Sequence, residues 1–156
     1  LTIPTDSRRL AYGYLLVVED DLHGFTGGLL LVCERGRPLE FHCTEPVQPS
    51  RAEQILFGPT LREHVCGEQI GGALIAKAKL PIGCLLTLDE PTALAGRAAG
   101  IATQVLGEGT EAPTAVAKLA EVIDPAEPFE RVREAIREAQ RLGAGDGSEG
   151  EHRAVA

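Results

Sequence analysis

The chain has 156 residues, 44% of them apolar, and a formal net charge of -8. That length supports one domain with extensions and a core that needs no staples, and the apolar share excludes a disordered chain. The acidic balance argues against a nucleic-acid backbone as the main partner, and no apolar run is long enough to span a bilayer.

Taken in order, residues 1–11 read as a polar lead-in with Pro4 and the pair Arg8-Arg9. Gly13 to Glu19 is a strand, apolar on both faces and therefore covered on both sides. The stretch from Gly27 to Pro49 is a hairpin: Leu29 to Cys33, a Gly36/Pro38 turn, then Leu39 onward. The second arm alternates. Leu39, Phe41 and Cys43 share one face, and Glu40, His42 and Thr44 the other, which predicts a half-solvated strand near a sheet edge.

Pro46 and Pro49 end the sheet. Ser50 and Glu53 then match a capping box, which starts a short helix through Leu56. Gly58-Pro59 breaks it. Thr60 and Glu63 match a second capping box. From there a helix is predicted toward Ala78, with Leu61, Val65, Ile70, Leu74 and Ala78 inward and a kink near Gly67. Residues 82–88 form another buried strand. Pro91 opens an Ala-rich helical run toward Leu106, and Gly96 and Gly100 are spaced for close packing onto a sheet.

Gly107 to Pro113 reads as a linker, and Thr114 to Ile123 as a short helix with Val116, Leu119 and Ile123 inward. Asp124-Pro125 starts the last helix, whose stripe is Phe129, Val132, Ile136, Ala139 and Leu142 and which ends at Gly143. The organisation is thus a core over 1–106, a linker and helical segment over 107–142, and a disordered tail over 143–156. The expected fold is mixed α/β with order β-β-β-α-β-α. It has an antiparallel three-strand meander, a fourth strand parallel to it in a four-stranded sheet, helices on the sheet and an extra C-terminal helix. This element order is similar to the ribonuclease H-like architecture.

Three constellations could carry chemistry. If strands 13–19 and 82–88 are parallel neighbours, their C-terminal ends gather Glu19, Asp20, Asp21 and Asp89 on one edge, with Glu53 nearby. Clustered carboxylates suit Mg²⁺ or Mn²⁺ and metal-dependent phosphodiester cleavage. The plainer account is that acids close strands and favour helix N-termini. Second, His64, Cys66 and Cys43, with His42, are ligand types that zinc takes, but neighbouring strand residues diverge and no Cys-x-x-Cys is present. Cys66 is also the best placed thiol for a nucleophile paired with His23, His42 or His64. Third, Phe129, Val132, Ile136 and Leu142 could dock on the chain's own core, or bind a protein partner or a second copy.

The four cysteines, Cys33, Cys43, Cys66 and Cys84, mostly sit in or beside apolar runs and read as core hydrophobes. No secretory leader is visible, which predicts a reducing, cytoplasmic setting. The chain begins at Leu1 and contains no Met, as a fragment or trimmed form would. With no phosphate loop and few aromatics, the leading expectation is a non-enzymatic cytoplasmic interaction or small-ligand-binding domain without a cofactor. The alternatives are a Mg²⁺- or Mn²⁺-dependent phosphodiesterase or nuclease of ribonuclease H-like architecture, and a structural zinc protein.

Overall fold

The computed structural model describes residues 10–107 and 113–146. Its centre is β1 (Ala11–Asp20), which pairs antiparallel with β2 (Gly24–Val32) on one side. On the other side it pairs in parallel with β4 (Ile82–Thr87). β3 (Pro38–Cys43) completes the meander beyond β2. A fifth strand, β5 (Thr103–Val105), lies parallel to β4, giving the order β3-β2-β1-β4-β5. The mixed α/β class, the meander and the parallel return after a helical crossover are as the sequence predicts.

The sheet separates two apolar layers. Alternate residues of β1, including Tyr14 and Leu16, join Leu30, Val32, Phe41 and Leu86 on one face. That face is covered by α4 (Ala117–Ala120), the 3-10 turn before it, and α5 (Glu127–Asp146). The other residues of β1, Leu15 and Val17, join Leu29, Leu31 and Leu85. The helix α2 covers them; it is π-helical over Glu63–Gly71 and α-helical over Gly72–Lys77. Strands with both faces covered must be apolar throughout, which is the pattern read in 13–19 and 82–88.

The π-helical turns replace the predicted kink. Val65 and Ile70, five residues apart, are both buried, a spacing that an i→i+5 helix puts on one face. Gly67 and Gly71 let α3 (Glu90–Ala98) lie against α2. A Cβ on Gly67 would sit 2.6 Å from the Pro91 carbonyl oxygen, and one on Gly71 would sit 2.6 Å from Ala95 Cβ.

Several local expectations are corrected. The helix opened by Pro91 stops at Ala98 instead of running toward Leu106. Gly100 takes φ +76° just past the end, the conformation that terminates helices, and the β-branched Thr103 and Val105 then add the fifth strand. Gly96 does pack tightly, against Thr103 and Leu85, whereas Gly100 has open space around it. The first capping box forms, with Ser50 and Glu53 bonded reciprocally at the start of α1 (Arg51–Phe57). The second does not: a 3-10 turn over Gly58–Thr60 leads into α2, and the Thr60 hydroxyl donates to the Phe57 carbonyl. α5 continues through Gly143 to Asp146, because one glycine costs only about 1 kcal/mol against a helix already formed. Most of the predicted linker and the tail beyond 146 lie outside the described residues.

The stripe on α5 is occupied internally. Phe129, Val132 and Ile136 are buried against the sheet. The Tyr14 hydroxyl donates to the Pro125 carbonyl at 2.6 Å, and the Tyr14 ring meets Phe129 edge-on with centroids 4.9 Å apart. Arg131 donates to the Gly36 carbonyl at 2.7 Å. These residues cannot also serve a partner; of the four singled out for that role, only Leu142 is exposed, at 46%.

The α2–α3 contact makes a paired prediction. Gly67→Ala pushes a methyl group against backbone and should lower stability by about 2 kcal/mol. Gly72→Ala, five residues on, meets only an ordinary contact at 3.8 Å. It should leave stability unchanged or raise it by about 0.5 kcal/mol. Urea unfolding of the two variants beside the wild type checks both signs.

Candidate functional site

Because β1 and β4 run in parallel, both end on the same edge of the sheet. Glu19 and Asp20 close β1, and Asp89 follows β4 as the N-cap of α3, accepting from the Thr92 amide at 2.9 Å. The Thr92 hydroxyl beside it is buried and has no hydrogen-bond partner among the described residues. Glu19 and Asp89 therefore both lie toward that edge of the sheet.

Glu19 is paired with a guanidinium. Arg62, just before the π-helical turns, donates to Glu19 at 2.7 Å and lies 5.6 Å from the centroid of the Phe25 ring. The bond to Glu19 raises the Arg62 pKa against the effect of burial, and the charges of Glu19 and Asp89 add to the rise. Arg62 supplies the positive charge that a divalent ion would otherwise supply.

The other acids have local roles. Asp20 accepts from the amides of Leu22 and His23 and from the His23 ring, and the His23 amide bond is the first reason its pKa lies below the usual carboxylate range. Glu53 holds the capping box and lies 4.0 Å from His64. Asp21 is exposed and carries no ion pair among the described residues. Among the described residues, no three His, Cys, Asp or Glu side chains converge closely enough to hold a metal ion.

The soft ligands are not brought together either. Cys66 belongs to the core layer under α2, and Cys43 to the layer on the opposite face of the sheet. His64 points elsewhere: its ring stacks on Phe57 with centroids 4.0 Å apart, and Nδ1 lies 3.0 Å from Glu68. Cys66 is fully buried, and burial pushes its thiol up to about 11 despite the nearby Arg62. A thiol that stays protonated at neutral pH is a poor nucleophile.

Beside Glu19 the surface opens into a cleft of about 450 Å³. Glu19, Asp20 and Asp21 line it from the β1 side, and Gln48, Gln54 and Leu61 line it from the side of α1 and α2. α1, which carries Gln54, has no buried residue and exposes Ile55 and Leu56. It is held by the Phe57–His64 stack and by Gln54 donating to the Pro49 carbonyl.

One constellation escaped the sequence reading. Glu40 and His42, placed on the solvent face of β3, are both only 5% exposed. They stand opposite Leu31 and Leu29, on the α2 side of the sheet, where His42 Nε2 lies 2.5 Å from Glu40 Oε2. Glu40 also accepts from the Lys79 and Leu80 amides at 2.8 and 3.2 Å, in the segment that leaves α2. Alternation sets Glu40 and His42 on the face opposite to Phe41 and Cys43 as expected, but Leu39 packs with the α2-side layer at a register shift. The strand is not half-solvated, because this segment folds over it. The available signal was an acid and a histidine two apart on a strand, a spacing that lets them pair.

No protein-family model matches the chain, and no curated protein matches it at significant similarity.

Burial would raise the Glu40 pKa, but the bonds from His42 and the two amides outweigh it and hold the group below its ordinary 4.5. A depressed folded pKa means that the stabilisation is present above the unfolded value and is lost as pH falls through the folded one. Thermal melts should therefore show Glu40-dependent stability above about pH 4.5 that fades in more acidic buffer. Glu40→Ala should cost about 3 kcal/mol at neutral pH, because it strands His42 and two amides, and should flatten that acid dependence.

Proposed function

We propose that this chain is a non-enzymatic interaction domain that docks a protein segment across α1 and the cleft beside it. The observation that carries the reading is α1 itself: it buries nothing, yet turns Ile55 and Leu56 to water at 62% and 82% exposure. A surface helix ordinarily turns its apolar residues to the core. Adjacent exposed apolar side chains beside a concavity mark a contact surface. The cleft is open and mixed in lining, which suits a peptide better than a small molecule that needs enclosure. None of the four cysteines forms a disulfide, which supports a reducing, cytoplasmic setting.

The test is selection of random displayed peptides on the immobilised protein, counter-screened with Ile55→Ser/Leu56→Ser. Peptides that bind the wild type and lose the double variant are expected, with the variant's melting temperature unchanged. Failure to enrich any α1-dependent peptide would sink the reading.

A divalent-metal-dependent phosphodiesterase of ribonuclease H-like architecture is the second reading. The order β3-β2-β1-β4-β5 and the shared edge of Glu19 and Asp89 favour it, while Arg62 on Glu19 stands against it. Under the leading proposal, Mn²⁺ or Mg²⁺ leaves the melting temperature unchanged. A saturable rise that disappears in Asp89→Asn would instead promote the metal enzyme, because a ligand of the native state stabilises by mass action.

A further inference from the structure

We propose that the segment docked on α1 is cationic and amphipathic: its apolar side chains cover Ile55 and Leu56, and its Lys or Arg side chains enter the cleft toward Asp21, Asp20 and Glu19. This rests on the docking role proposed above and adds the chemistry of the partner.

Charge decides the partner. The two stretches that build this surface, 19–25 and 45–63, carry six carboxylates against two guanidinium groups, and no lysine occurs before Lys77. One of the two guanidiniums, Arg62, is already held by Glu19. The other, Arg51, begins α1. Among the described residues Asp21, Glu45 and Glu63 are exposed and have no ion pair, so the local field is negative. Such a field draws a basic segment and fixes its orientation. It also argues against the other occupants. A second copy would bring Asp21 and Glu53 toward their own likes, anionic lipid headgroups would be repelled, and a nucleic-acid backbone would be repelled in the same way.

The exposed helix supplies the second half of the recognition. A short run of apolar side chains flanked by acids is complementary to an amphipathic segment with basic flanks, in which apolar anchors give affinity and charges give register.

Three designed peptides of about 16 residues test this by fluorescence anisotropy on the full chain. One is an amphipathic Leu/Lys helix, one its Leu/Glu counterpart, and one a Lys/Ser/Gly peptide of the same charge without an apolar face. The Leu/Lys peptide should bind saturably and weaken as salt rises from about 50 to about 300 mM. Leu56→Ser should weaken it at least about tenfold, and Asp21→Asn about threefold with a smaller salt dependence. Leu142→Ser, on the far helix α5, should change nothing.

Equal binding of the Lys/Ser/Gly peptide, or no effect of Leu56→Ser, would overturn the proposal by showing charge attraction alone. So would absence of Leu/Lys binding. Leu56-dependent binding of the Leu/Glu peptide would overturn the cationic partner and leave the docking surface standing. Leu56-dependent dimerisation in sedimentation, or Leu56-dependent binding to phosphatidylcholine vesicles, would overturn it in favour of a second copy or a lipid surface.

Discussion

Strand β1 is paired along both edges and covered on both faces, and the positions of the other elements follow from that. A strand that is apolar from Ala11 to Val18 cannot be left at an edge or half in water, so β2 and β4 must flank it and helices must lie above and below. The parallel partner requires a crossover, which places α1 and α2 between β3 and β4 in sequence and α2 over one face of the sheet. The other face is then closed from the C-terminal side by α5. Tyr14, fully buried in this layer of β1, reaches Pro125 with its hydroxyl and so fixes where α5 begins.

The surface at the end of β1 follows from how tightly the crossover is pressed down. Gly67 and Gly71 remove the side chains that would hold α3 away from α2, and Gly96 does the same between α3 and the β4–β5 pair. Small residues at successive contacts bring the layers close, and a close layer fixes its own ends. Arg62, at the start of α2, is thereby held over Phe25 and against Glu19. α1 lies beyond these contacts. It stays on the surface because the Gly58–Thr60 turn sets it apart from α2, and the Phe57–His64 stack, the approach of Glu53 to His64 and a few hydrogen bonds tie it back.

How much of this was legible depends on what each residue's pattern encodes. Local signals were clear: the apolar runs of β1 and β4, the Ser50–Glu53 capping box, and the α5 stripe through Phe129, Val132 and Ile136 all encode local geometry or burial. The parallel pairing of β1 with β4 was also legible, because crossover rules constrain it. What the sequence could not encode locally was which chain covers which face. Glu40 and His42 alternate like solvent-facing residues, and only the fold of residues 79 and 80 over them makes them a buried pair. The role of Arg62 was hidden for the same reason, since Glu19 lies 43 positions away in sequence. β5 was hidden by composition: alanines before Gly100 favour helix, and three residues are too few to show alternation.

The two places where this molecule could adhere to another are treated differently. β3 is a sheet edge, and edges invite another strand. Here the edge strand turns an acid and a histidine inward and ties them to the chain that follows α2, one of the ways in which natural sheets protect such edges. α1 carries no comparable protection. Its two adjacent apolar side chains face water without a covering segment among the described residues, and the acids around it are not paired off by lysines. Scattered exposed leucines need no explanation. A pair on one short helix that buries nothing, beside an open cleft with a single-signed rim, is a different case. The same chain that buries the hydrogen-bonded Glu40 and His42 behind one edge leaves this apolar surface open, and that contrast favours α1 over the sheet edge for the docking proposed above.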